Sequence, residues 1–122
     1  MGTVILTSDT FDAQIESKGI TLIDFWASWC GPCLKFAPIF ESAAEKYPNH
    51  TFAKVDTEAF QDLATRLQIT SIPTLMIYRD GTLLYSEAGA LPSKDLEKLI
   101  DLVERVDMRE VQNENNRKVN SR

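Results

Sequence analysis

Sulfur and imidazole are scarce in this chain: its 122 residues hold two cysteines and one histidine, His50. That supply argues against a zinc centre, which takes about four ligands. Both cysteines fall in a single C-x-x-C, Cys30 and Cys33, so none is left for structural bridges. Such usage favours a reversible redox pair in a cytoplasmic protein over a disulfide staple. No apolar stretch approaches the roughly eighteen residues of a membrane span. No basic segment precedes the apolar residues of 1–10, so no secretory leader is expected, and Leu6 stands where myristoylation at Gly2 would need Ser or Thr. Lys and Arg are outnumbered by Asp and Glu, 13 to 18, and the net charge of −5 disfavours nucleic acid and anionic membranes as partners. What remains is one domain, 43% hydrophobic and long enough to bury a core.

The chemistry centres on Trp29-Cys30-Gly31-Pro32-Cys33. Ile20 to Ser28, apolar except for Thr21, Asp24 and Ser28, reads as a strand buried on both faces. After Cys33, the residues Leu34, Ala37, Phe40 and Ala44 recur at helical spacing. The two thiols therefore stand where a buried strand hands over to a helix. Residues three apart in an opening helical turn have Cα atoms about 5 Å from each other, which suits a disulfide. Unpaired N–H groups and the helix dipole favour negative charge at that terminus. Cys30, at the very start, is expected to be the more acidic thiol and to attack an outside disulfide. Cys33, one turn further in, should be the more buried and should resolve the mixed disulfide. Gly31 lets another backbone come close, and Pro32 suits the first turn, where its missing N–H is no loss.

In chain order, the pattern predicts a short strand over Val4–Leu6 and a helix to Ser17, capped by Ser8 or Asp9, with Phe11 and Ile15 inward. Gly19 ends that helix. The helix from Gly31 to about Tyr47 carries Pro38, which should kink it. Pro48-Asn49-His50 is a turn, with His50 solvated. A strand over Thr51–Asp56 and a helix over Glu58–Leu67 follow. A strand over Leu75–Tyr78 turns at Asp80-Gly81 into an antiparallel partner, Leu83–Glu87. Ser93 should cap the last helix, whose inner face is Leu96, Leu99, Ile100, Val103 and Val106. Residues 1–106 form the domain; 107–122 are a polar tail, either a frayed helix end or disordered. Alternating strands and helices followed by a hairpin make an α/β fold with a central mixed sheet and helices on both faces. Ligand chemistry in such sheets gathers at the carboxyl ends of the parallel strands, where Trp29 to Cys33 would lie.

Phe25-Trp26-Ala27-Ser28-Trp29-Cys30-Gly31-Pro32-Cys33, with Pro38 five residues on, resembles the thioredoxin family. Lys54-Val55-Asp56, Ile72-Pro73-Thr74, Asp80-Gly81 and Gly89-Ala90-Leu91 fall at matching spacing, so the resemblance spans Val4 to Val106. It implies the thioredoxin fold and a monomeric protein-disulfide reductase. Cys30 would be its nucleophile and Cys33 its resolving thiol. By the same resemblance, Pro73 matches a cis proline beside the dithiol, leaving the Ile72 backbone free to pair with an extended substrate. Asp24 matches a buried acid that takes the Cys33 proton, with its pKa raised by burial, and Lys54 matches the lysine near it. Trp29, Gly31, Pro32, Ile72, Pro73, Gly89 and Ala90 would form the substrate-docking surface. The implied partners are disulfide-containing proteins and a thioredoxin reductase using NADPH, with no cofactor or metal bound by the chain itself. Gly-Pro between the cysteines resembles the reducing members; oxidases and isomerases of this fold usually carry a histidine there.

The chain departs from the pattern at Leu34, where many members have Lys, and at Ser28, where an acid is frequent. Both lie beside the dithiol. Two other readings stand beside the general reductant: a specialised oxidoreductase, such as an isomerase or a donor dedicated to one partner, and a binding module whose thiols are incidental.

Overall fold

The computed structural model describes residues 2–113. Nine elements follow in chain order: β1 (Val4–Ile5), α1 (Phe11–Glu16), β2 (Ile20–Trp26), α2 (Gly31–Lys46), β3 (Thr51–Asp56), α3 (Gln61–Arg66), β4 (Thr74–Arg79), β5 (Thr82–Ala88) and α4 (Ser93–Arg105). The five strands form one sheet in the order β1-β3-β2-β4-β5. β1, β3 and β2 run parallel, while β4 and β5 run antiparallel to their neighbours. The sheet is therefore mixed, as the sequence pattern implies.

Strand alternation sorts the core into two layers. Leu22, Phe52, Leu75 and Ile77 pack with Phe36 and Phe40 of α2 and Leu96, Ile100 and Val103 of α4. Ile23, Phe25, Ala53, Val55 and Met76 pack on the other face with Phe11 of α1 and Leu63 of α3. Every residue from Ile20 to Phe25 is buried, because β2 is central and covered on both sides. Asp24 shares the parity of Leu22, so its carboxyl lies on the α2 side.

Several boundaries differ from the sequence expectations, each for a local reason. Thr10, not Ser8 or Asp9, stands at the N-terminus of α1 and makes no side-chain cap. Thr7 Oγ1 instead accepts from the N–H groups of Asp9 and Thr10, and Ser8 reaches Asp62 across 2.9 Å. α3 begins at Gln61 rather than Glu58, and 57–60 form a turn ahead of it in which Asp56 Oδ1 accepts from the N–H groups of Glu58 and Ala59. Ser93 is the first residue of α4 rather than its cap, which is Pro92. His50 is not simply solvated: its ring stacks on Tyr47 and its Nε2 lies 2.7 Å from Glu104 Oε2.

The hairpin turn is as expected, with Asp80 and Gly81 at φ 52° and 84°, the two left-handed positions of a type I′ turn. α4 stops at Arg105, and a helical turn resumes over 108–113 behind Asp107, whose Oδ1 accepts from Arg109 N–H at 3.0 Å. The rest of the expected tail lies outside the described residues.

Candidate active site

β2 ends at Trp26, and the chain needs only four residues to reach α2, so Cys30 arrives as the N-cap of that helix. Its φ and ψ of −89° and 111° are extended, and Pro32 follows within the first turn. The Cys33 N–H, one of the helix's orphan donors, points at Cys30 Sγ over 3.2 Å. The two cysteines are joined as a disulfide, with Cα atoms 5.2 Å apart. Cys30 Sγ also lies 3.7 Å from the Ile72 carbonyl oxygen.

Burial separates the sulfurs less than their positions in the helix suggest. Cys30 is 4% exposed and Cys33 2%, and both pack with Ala27 against Trp26 and Ile72. What distinguishes the two cysteines is their place in the helix rather than their burial: Cys30 caps it, and Cys33 sits inside its first turn.

Around the dithiol the surface is apolar and open. Trp29 is 68% exposed and Leu34 55%. Gly31 and Pro32 are exposed, and a Cβ built on Gly31 would meet nothing within 4 Å. The protein's own packing therefore does not require glycine there, whereas an approaching chain would gain by it. The Ile72–Pro73 bond is cis, with Ile72 half-buried and Pro73 buried. Gly89 takes φ +112°, which favours glycine, and donates its N–H to the Pro73 carbonyl at 2.8 Å. That bond ties exposed Gly89 and Ala90 to the cis-proline loop. The fold therefore gathers Trp29, Gly31, Pro32, Ile72, Pro73, Gly89 and Ala90 at one end of the sheet.

Beneath this surface lies Asp24, fully buried, with neither carboxyl oxygen hydrogen-bonded by the protein. Burial pushes its carboxyl up from 3.8 to about 6 against the pull of Lys54, with Glu41 adding to the rise. Lys54 is the register partner of Asp24 on β3. Its ammonium does not pair with the acid but lies over the Trp26 ring, 4.9 Å from the centroid. Lys54 also lines a cleft of about 440 Å³ with Thr3, Ile5, Trp26, Glu41, Asp56, Ala59 and Phe60. The sequence reading missed Glu41, because nothing in helical periodicity distinguishes it from any other acid at the edge of a helix. Among the described residues, no group of three or more His, Cys, Asp or Glu is arranged to hold a metal ion. No helix there is long and apolar enough to cross a membrane.

The family model described as Thioredoxin matches residues 2–102. A curated relative from Streptomyces coelicolor, named putative thioredoxin 2, is 48% identical over 109 residues, 89% of this chain and 81% of that protein. A thioredoxin from Coprinus comatus is 42% identical over 99 residues, covering 80% of this chain and 92% of the relative. Among solved structures, Plasmodium falciparum thioredoxin superposes with a TM-score of 0.74 at 33% identity, over 81% of this chain and 97% of that one.

Proposed function

The chain belongs to the thioredoxin family and carries the redox-active C-x-x-C pair of its dithiol disulfide reductases, and from that premise we propose how this site divides the work. Cys30, as the thiolate, attacks one sulfur of a substrate disulfide. A mixed disulfide forms and the first substrate thiolate leaves. Cys33 then gives its proton to Asp24 and attacks Cys30 Sγ, releasing the second substrate thiolate. Two electrons have passed to the substrate, and the protein is left with the Cys30–Cys33 disulfide.

The observation that carries this assignment is the hydrogen bond from Cys33 N–H to Cys30 Sγ at the head of α2. A sulfur in that place is favoured as an anion by an N–H donor and by the helix dipole together. Asp24 fits the proton step because a carboxyl titrating at about 6 is mostly ionised at neutral pH, yet holds a proton more firmly than an ordinary carboxylate. Lys54 opposes that rise and so keeps Asp24 able to release the proton. Trp29, Gly31, Pro32, Ile72, Pro73, Gly89 and Ala90 form the docking face, with an extended substrate segment pairing along the Ile72 backbone.

We assign the resetting step to a thioredoxin reductase, which would bind the NADPH itself and pass electrons on to this chain. A cytoplasmic site of action, as an electron carrier, accords with two cysteines committed to one reversible pair. The test is turnover of insulin disulfides, driven by dithiothreitol or by NADPH with a thioredoxin reductase. Activity with both is expected. Activity with dithiothreitol alone would overturn the assigned electron source and leave the chemistry standing. Cys33→Ser should accumulate mixed disulfides through Cys30; no trapping in that variant, with trapping in Cys30→Ser instead, would reverse the division of labour.

A further inference from the structure

Leu34 is apolar, yet more than half of it faces solvent, at the rim of the dithiol rather than in the core. Its N–H donates to the Cys30 carbonyl at 3.1 Å, so it follows the cap residue by one helical turn. Side chains on a helix lean back toward its N-terminus, and residues four apart have Cβ atoms about 6 Å from each other. The Leu34 side chain therefore leans over the turn that carries Cys30. On the other flank of Cys30 stands Trp29, also exposed. The remaining large apolar side chains that the described residues expose lie on β1, β5 and α4. Segments 27–34, 69–74 and 88–92, which make up the dithiol face, hold no charged residue, although such residues form 25% of the chain. No ion pair can form on them; what they offer a partner is apolar area and hydrogen bonds.

We propose that Leu34 sets substrate preference in disulfide exchange: with Trp29 it brackets Cys30, so the favoured partner is an extended segment carrying an aliphatic side chain two residues from the cysteine under attack. This role rests on the reductase reading of the site and adds the class of substrate to it. In an extended chain, side chains two residues apart share a face and stand about 7 Å from each other. A segment laid along the Ile72 backbone, whose carbonyl oxygen is 3.7 Å from Cys30 Sγ, turns its own cysteine toward that sulfur. The side chains two residues to either side then point at the same surface, at about the span that separates Leu34 from Cys30 on the helix. An aliphatic side chain there covers Leu34 and sheds water from both, whereas a side-chain amide would lose water against leucine without a hydrogen bond in return. Lys35 is about 100° further round the helix and leaves that contact apolar.

The test measures single-turnover reduction, by the pre-reduced full chain, of two disulfide-linked peptide dimers. Each peptide is unstructured and has one cysteine, and the two differ only in carrying leucine or glutamine two residues to either side of it. The leucine dimer should be reduced faster by roughly fivefold, the effect of covering little more than one methylene group. Leu34→Gln should bring the two rates within about twofold of each other, while Leu34→Met, which keeps an apolar side chain of similar volume, should preserve most of the preference. Leu102→Gln, at a similarly exposed leucine on α4, should leave both rates unchanged. Equal rates for the two dimers with the unaltered protein would overturn the proposal and leave the reductase reading standing. So would an equal fall of both rates in Leu34→Gln, the mark of altered thiol reactivity. Reduction of neither dimer would overturn both.

Discussion

The two ends of the sheet treat their polar groups in opposite ways. At the end where α4 finishes, side chains are paired. Arg79 Nη1 donates to the carbonyls of Val103, Glu104 and Val106 at 2.8, 3.1 and 3.0 Å, closing the C-terminus of α4. Asp80 Oδ1 accepts from the Gly19 N–H, and His50 meets Glu104. At the dithiol end the pattern reverses. Asp24 is buried without a partner, Trp29 and Leu34 face outward, and the cis-proline loop leaves backbone available beside a sulfur. One end commits its side chains to holding the fold, while the other leaves a buried carboxyl unpaired beneath exposed apolar side chains. The cost of that second arrangement falls on stability, as expected where a site is shaped for chemistry.

The contrast can be broken most strongly at Asp24. The unfolded chain releases this proton near 3.8 and the folded chain near 6. Between those values the folded state holds a proton the unfolded state has lost, so stability falls as pH rises through the window. The full cost, about 3 kcal/mol, is present above the folded value and absent below the unfolded one. Asp24→Asn should therefore flatten this part of the stability curve in denaturant titrations run across the window, while slowing disulfide turnover. A wild-type curve with no decline over that range would contradict the burial cost.

A change at the opposite end should act the other way. Arg79→Met leaves helix-terminal carbonyls without their donor and should lower stability by about 2 kcal/mol, with turnover of insulin disulfides nearly unchanged. Equal losses of activity and stability would mean the two ends are not separable. The smallest effect is expected at Glu104→Gln: this partly exposed pair should contribute less than about 1 kcal/mol by thermal denaturation, and nothing to activity.

Much of this division was readable in the residues themselves. The apolar run through Asp24 marks β2 as central, and W-C-G-P-C after it places two sulfurs at a helix start. The spacing of Ile72-Pro73-Thr74 and Gly89 carries the loop that faces them. What escaped depends on side chains meeting across long sequence separations or competing for the same backbone. Asp56 gathers the N–H groups of Glu58 and Ala59 into a turn that stands ahead of α3. Glu41 acquires meaning only once β3 brings Lys54 into its cleft, and His50 only once α4 brings Glu104 alongside. Linear patterns report periodicity and turn chemistry; they carry no record of which surface residue will face which.

The most direct measurement is the rate of alkylation of each thiol in the reduced protein as a function of pH, resolved by mass spectrometry of the peptides bearing Cys30 and Cys33. Cys30 should react first, with its rate rising at lower pH than that of Cys33. Equal rates with a shared midpoint would contradict the claim that the start of α2 makes the two sulfurs different.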